Sequence, residues 1–308
     1  MEQRTVPGAS RRLSALTVTV DPPFAVPPSS DARTVALLQR CRAKGVVTFD
    51  VGDARFPERA ERLIAAAFPS TDPELGVIVA RSVDSLAAEK GANTPEAPDL
   101  GAALAASVEQ SRRRLGSVPV TMVEWRISSS GARIGDEPGE ELPSAEPLDR
   151  ETTLAVRIPP RGRLPALARR AGAVYSGDLS ILDHDVESVL EPLAAEGPTA
   201  FLARNSLADG RLDGSRFAHS ANLVGPGEGP IDLRRLHREF DPVLRLGFLT
   251  EGHRRTLAQA ALRFVLIRPW VVSAVVPLPA PERLDELLGF ESTPPLTREE
   301  LERVYGLK

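Results

Sequence analysis

Short apolar runs alternate with stretches of helical periodicity along this chain, and the alternation recurs eight times. The runs are LTVTV at 16–20, VVTFD at 46–50, GVIVA at 76–80, VPVTMVEW at 118–125, TLAVRI at 153–158, AVYS at 173–176, TAFLAR at 199–204 and VVSAVVP at 271–277. Runs of this length, rich in β-branched residues, read as strands buried on both faces. Strands joined through helices lie parallel, because a parallel pair needs a long crossover and not a tight turn. Eight such units within 308 residues predict an α/β chain, a (β/α)8 TIM barrel forming one domain over 1–308. A doubly wound open sheet is the alternative.

Helix boundaries carry their own signals. DARTVALLQRCRAKG opens on Asp31 as N-cap and closes on Gly45, with Val35, Leu38 and Cys41 on one face. PERAERLIAAAF, LGAALAASVEQSRRRLG behind Asp99, LPALARRAG, DVESVLEPLAAEG, LRRLHREFDPVLRL and TLAQAALRFVLIRP follow, the last stopped by Pro269. LTREELERVYGLK ends the chain behind a capping signal at Thr297. Two segments break the rhythm and read as long loops, at about 128–149 and 205–250.

Composition excludes several classes of function. The net charge of −4 gives no basic field for nucleic acid or a membrane surface. No stretch has the length of a membrane span, and the first residues lack the apolar core of a secretion signal, so a cytoplasmic protein is expected. The single cysteine, Cys41, excludes an internal disulfide framework and reads as helix packing. His184, His219, His237 and His253 show no metal-ligand spacing and read as surface residues, so no metal is expected. GPGEG at 225–229 follows no strand and reads as a loop, not a nucleotide cradle. Lysine occurs only at Lys44, Lys90 and Lys308, and arginine supplies the other cations, a bias typical of a GC-rich bacterial genome.

Four pieces, in order, resemble one family. They are FDVGDARF, RLGSVPVTMVEWR, SGDLSILDHDVESVLEPLAAEG with FLARNSLADGRLDG, and TLAQAALRFVLIRPWVVSAVVPLPAPERLDELL with PPLTREELERV. The chain resembles an aldo-keto reductase over nearly its whole length. That resemblance implies a (β/α)8 barrel and NADPH-dependent carbonyl reduction. It also implies a tyrosine proton donor, a lysine that lowers its pKa, an aspartate that holds the lysine, and a histidine that orients the carbonyl.

Residue by residue, the resemblance keeps one of the four. Asp50 matches the aspartate, Arg55 stands at the tyrosine position, Arg81 at the lysine position and Arg126 at the histidine position. Glu124 and Trp125 are nearby alternatives for the last, and Glu124 shares strand parity with Arg126. The cofactor side is altered as well. Pro159 and Pro160 replace a serine–asparagine pair, Ser176 replaces a glutamine, Arg204 lies near the stacking aromatic, and Leu278 replaces a phosphate-loop glycine. Arg283 is left as a weak phosphate candidate.

Arginine is a poor proton donor near neutrality but offers fixed N–H donors and a permanent charge. Arg55, Arg81 and Arg126 around Asp50, with Arg157 and Arg204 near the C-terminal ends of their strands and Trp125 as a wall, therefore suggest a mouth that binds an anionic or oxygen-rich small molecule. Three readings stay open. The first is a non-redox enzyme of bacterial biosynthesis, performing cyclisation, dehydration, elimination or isomerisation, with Asp50 and Glu124 as its acid–base pair and no cofactor. The second is a pseudoenzyme that binds a metabolite or a protein. The third is an NADPH-dependent reductase whose acid has moved, for instance to Tyr175. The oligomeric state is left open.

Overall fold

The computed structural model describes residues 1–7, 9, 12–20, 30–54, 56–82, 85–86, 100–126, 148–149, 151–158, 174–216 and 233–307. Among the described residues ten strands run in chain order: β1 Gln3–Thr5, β2 Arg12–Ser14, β3 Leu16–Thr19, β4 Thr48–Asp50, β5 Gly76–Arg81, β6 Val120–Arg126, β7 Thr153–Arg157, β8 Val174–Asp178, β9 Ala200–Arg204 and β10 Val271–Pro277. The last eight close a parallel barrel in the order β3 to β10, with β10 returning to β3. These are the eight runs read from the sequence, and the open-sheet alternative is excluded by closure.

Each barrel strand has two faces, and they do different work. Ile78, Met122, Ala155, Val174, Ala200, Leu202 and Val272 meet inside the barrel. Val18, Val79, Val123, Trp125, Tyr175 and Phe201 face outward and pack under the helices in one continuous cluster. β1 and β2 form an antiparallel hairpin that the sequence reading did not anticipate. Val6, which follows β1, and Leu13 of β2 join the interior cluster, and Arg4 donates to the carbonyls of Leu266 and Val271, so the hairpin covers the N-terminal end of the barrel.

The helices observed are α1 Asp31–Ala43, α2 Pro57–Ala67, α3 Leu100–Leu115, α4 Glu187–Glu196, α5 Leu233–Leu244, α6 Leu257–Leu266, α7 Leu284–Leu288 and α8 Arg298–Tyr305. Ser30, not Asp31, caps α1, its hydroxyl accepting from the Arg33 amide. Thr256 and Thr297 each make a full capping box, with Gln259 and Glu300 respectively. The helix expected over 164–172 and the cap at Asp99 lie outside the described residues. So does most of the first expected long loop. The second contains α5 and a 3-10 segment, Gly247–His253, beside turns at 205–216.

Cys41 is buried, and burial pushes its thiol up to about 12, as suits a packing residue. His184 is buried as well, contrary to the surface reading. Its ring meets Phe264 and Tyr305 edge-on, at centroid distances of 5.6 and 5.0 Å. Among the described residues no helix is long and apolar enough to cross a membrane.

Candidate functional site

All the strands of a parallel barrel end on the same face, and inward residues at those ends converge there. Thr19 ends β3, Asp50 ends β4, Arg126 ends β6, Arg157 ends β7, Asp178 ends β8 and Arg204 ends β9. Glu124 and Ser176 lie two positions earlier on their strands and share that inward face. Asp53 joins them from the turn that leads β4 into α2.

Arg204 is the hub. Its guanidinium donates through Nη2 to Asp50 Oδ1 at 2.8 Å and through Nη1 to Asp50 Oδ2 at 3.2 Å. Nη1 also reaches Asp53 Oδ2 at 2.6 Å, and Nε reaches Glu124 Oε2 at 2.6 Å. The side chains of Arg204, Asp50 and Glu124 are at most 1% exposed. Thr19 Oγ1 donates to Asp50 Oδ2 at 2.9 Å, and Ser176 Oγ donates to Glu124 Oε2 at 2.6 Å. Buried charges persist only when paired and hydrogen-bonded in this way.

A second, more open tier lies above. Arg126 Nη2 donates to Asp53 Oδ1 at 2.5 Å and to the Gly52 carbonyl at 2.8 Å, while its Nε reaches Glu124 Oε1 at 3.3 Å. Arg157 Nη1 donates to Asp53 Oδ1 at 2.8 Å and to Glu124 Oε1 at 3.4 Å. Arg157 Nη2 stands 3.9 Å from Asp178 Oδ1, and Asp178 Oδ2 accepts from Asn205 Nδ2 at 3.5 Å. Gly52 lets the turn lie close: a Cβ there would stand 2.9 Å from Ala80 Cβ and 3.0 Å from Asp50 Oδ1.

Electrostatics sort these groups. Burial pushes the Glu124 carboxyl up, but Arg204, Arg157 and Arg126 outweigh it and hold it below its ordinary value. Asp53 feels the same opposition and is held well below the usual carboxylate range. Burial depresses the Arg204 guanidinium, yet Asp50, Glu124 and Asp53 raise it well above normal. Asp178 moves the other way. Burial pushes it up, and Arg157 and Asn205 only partly offset that.

The residues nominated from sequence divide accordingly. Asp50, Glu124, Arg126 and Arg204 converge at the mouth. Arg81 does not. It is on the outward face of β5 and donates to Ser107 Oγ at 2.5 Å and Ser111 Oγ at 2.6 Å on α3. Trp125, the register partner of Arg81, is 2% exposed in the helix-facing cluster and forms no wall of the mouth. Arg55 lies outside the described residues. Arg283 precedes α7 and pairs with Glu286 through Nε at 2.7 Å.

Asp50 and Glu124, nominated as an acid–base pair, are both sealed from solvent and bound to Arg204. Tyr175 is fully buried in the outer cluster and supplies no acid at the mouth. The other tyrosine, Tyr305, accepts from Arg268 at 2.9 Å and donates to Glu187 at 3.2 Å beside α4. Lys44 pairs with Asp285 at 3.0 Å, and Lys90 and Lys308 lie outside the described residues. The described mouth therefore has neither a tyrosine nor a lysine. Arg157, read from the sequence as lying near its strand end, and Ser176, read as standing in a glutamine's place, both join the mouth, whereas Asp53 and Asp178 are functional candidates that the sequence reading omitted. Strand parity with Ser176 marks Asp178, and Asp53 has no periodic signal at all. Among the described residues no cluster of ligating side chains is arranged to hold a metal ion.

No protein-family model matches the chain, and no curated protein sequence matches it. Solved structures do. The holo form of an aldo-keto reductase from Bacillus halodurans superposes with a TM-score of 0.68 at 17% identity, covering 100% of this chain and 96% of that one. A glycerol dehydrogenase from Gluconobacter oxydans gives 0.69 at 16% identity, covering 99% and 94%. A thermostable aldo-keto reductase in complex with the inhibitor epalrestat gives 0.66 at 16% identity, covering 100% of both chains. The chain carries the (β/α)8 barrel fold of the aldo-keto reductases.

Proposed function

We propose that this protein is a divergent aldo-keto-reductase-type barrel that binds a small anionic metabolite and does not reduce it. One observation carries the reading. Arg204 fills the centre of the mouth and is hydrogen-bonded to Asp50, Asp53 and Glu124, where carbonyl reduction needs a tunable acid and room for a nicotinamide. A guanidinium held well above its ordinary pKa gives up no proton, and its displacement would leave buried Asp50 without its cation and take a donor from Asp53 and Glu124.

NADPH is the cofactor that the fold family implies, and the residues at the described mouth do not fit its chemistry. The family resemblance calls for an aromatic ring at the end of β9 to stack on the nicotinamide, and Arg204 stands there. Arg126 and Arg157 support the binding half of the proposal. Their side chains are 33% and 21% exposed at the strand ends, in reach of a ligand entering from solvent.

The test is direct. The purified protein is mixed with NADPH and a panel of aldehydes and ketones, and NADPH absorbance is followed. No carbonyl-dependent oxidation is expected, and calorimetry should detect no tight NADPH binding. Steady oxidation with any carbonyl would overturn the proposal.

Asp178 favours a second reading, in which the bound metabolite undergoes a non-redox elimination or isomerisation. It is the mouth carboxyl whose pKa is raised, and its side chain is 27% exposed beside Arg157. A carboxyl tuned toward neutrality next to a fixed cation can take a proton from a bound acid and return it elsewhere. Turnover of a candidate metabolite that disappears in Asp178→Asn while binding persists would favour it. Turnover unchanged in that variant would exclude it.

A further inference from the structure

We infer that Asp53 occupies a carboxylate-binding cradle, so that a ligand carboxylate enters by displacing it. This rests on the reading that the mouth binds an anion, and it names the contacts and the chemical class.

Three guanidiniums from three strands meet on this one turn carboxylate. Arg126 Nη2 and Arg157 Nη1 share Asp53 Oδ1, at 2.5 and 2.8 Å, and Arg204 Nη1 takes Oδ2 at 2.6 Å. Both oxygens of a planar group are used, which is the geometry arginines offer a carboxylate. The site's other two principal carboxylates are built in. Asp50 and Glu124 lie on strands, are sealed from solvent, and receive hydroxyl donors from Thr19 and Ser176. Asp53 is different on each count. It lies on a turn, its side chain is 33% exposed, and its described donors are the three arginines.

The charges make the exchange selective. With Asp50 and Glu124 in place, removal of Asp53 leaves the three guanidiniums one negative charge short. A ligand carboxylate restores the balance with the same two oxygens. Asp178 adds a further negative charge 3.9 Å from Arg157, which opposes a second anionic charge on that side. A compact carboxylate therefore fits better than a dianionic phosphate. A tethered group competes at an effective concentration of about millimolar or above. Simple carboxylates should accordingly bind the natural protein weakly, and much of the affinity must come from the rest of the ligand.

Propionate and inorganic phosphate serve as probes, with calorimetry and thermal melting as readouts. Asp53→Ala should bind propionate at least tenfold tighter than the unchanged protein, and phosphate should gain less. Adding Arg157→Met to Asp53→Ala should remove the gain. If the emptied cradle lowers stability, propionate should restore its melting temperature. In the unchanged protein, saturating propionate should speed amide exchange over 51–54 as the turn is released. Equal propionate affinity with and without Asp53, or a gain that survives Arg157→Met, would overturn the cradle. So would exchange over 51–54 that ignores propionate. NADPH-dependent carbonyl reduction would refute the proposed function and leave these measurements unaffected, so the two failures are distinguishable.

Discussion

Arg204 and Asp50 face each other across the barrel mouth through two parallel hydrogen bonds, at 2.8 and 3.2 Å, with both side chains sealed from water. The sequence pairs Asp50 with Arg81 by resemblance. The molecule pairs it with an arginine from the opposite side of the barrel. Removing one partner of a buried pair costs about 3–5 kcal/mol, because the other charge remains without compensation. Arg204→Met should lose at least that much in denaturant unfolding, since Glu124 and Asp53 each lose one of their donors too. Combining it with Asp50→Asn and Glu124→Gln should recover part of the loss, as no sealed charge is then left alone. A triple variant less stable than Arg204→Met would contradict this account.

Arg81 should behave as a structural residue. Its guanidinium joins β5 to α3 through Ser107 and Ser111 and also caps the Ala80 carbonyl. Arg81→Met keeps the apolar stem and removes these bonds, so a loss of about 2 kcal/mol is expected. Anion affinity at the mouth should not change. A variant with full stability and weakened anion binding would return Arg81 to the interior.

Why the sequence misplaced Arg81 follows from strand geometry. A strand alternates faces at every residue, so an alignment uncertain by one position cannot decide which face a side chain takes. Arg81 and Trp125 are register partners and both turn outward, whereas Glu124 and Arg126 turn inward as their shared parity requires. The eight barrel strands were legible because each is a long enough apolar run between helical segments. The β1–β2 hairpin was not, since strands of three residues show no alternation to read. Asp53 was illegible for a different reason. A turn residue has no periodicity, and its three arginine partners lie 73, 104 and 151 positions away in the chain.

The acid limb of stability should depend on this mouth. Glu124 and Asp53 have folded pKa values held below their ordinary range, so the unfolded chain binds more protons than the native state at low pH. Their contribution is fully present above the unfolded value of about 4 and is lost as pH falls through the depressed folded values. Asp53→Ala removes one of these groups. Its melting temperature should therefore fall less steeply between about pH 5 and pH 3 than that of the unchanged protein. Parallel slopes would show that Asp53 is not held by the arginines.

Asp178 predicts the opposite dependence. Burial raises its folded pKa, and Arg157 and Asn205 offset this only in part. The native state thus holds its proton more firmly than the unfolded chain does. Stability is greater when Asp178 is protonated and declines as pH rises through the raised folded value. Asp178→Asn keeps the shape, retains an oxygen for the Asn205 amide, and abolishes the buried charge. The variant should be more stable than the unchanged protein at neutral pH, by about 1 kcal/mol or less because the site is partly open. The gain should shrink toward acid, where the natural side chain is itself neutral. Arg157 sets the scale of this effect, because its guanidinium stands 3.9 Å away and favours the charged form. In an Arg157→Met background the stability gained by Asp178→Asn should therefore increase. Melting curves of the four proteins across pH measure that coupling, and a gain that is independent of both pH and Arg157 would place the effect outside the ionisation of Asp178.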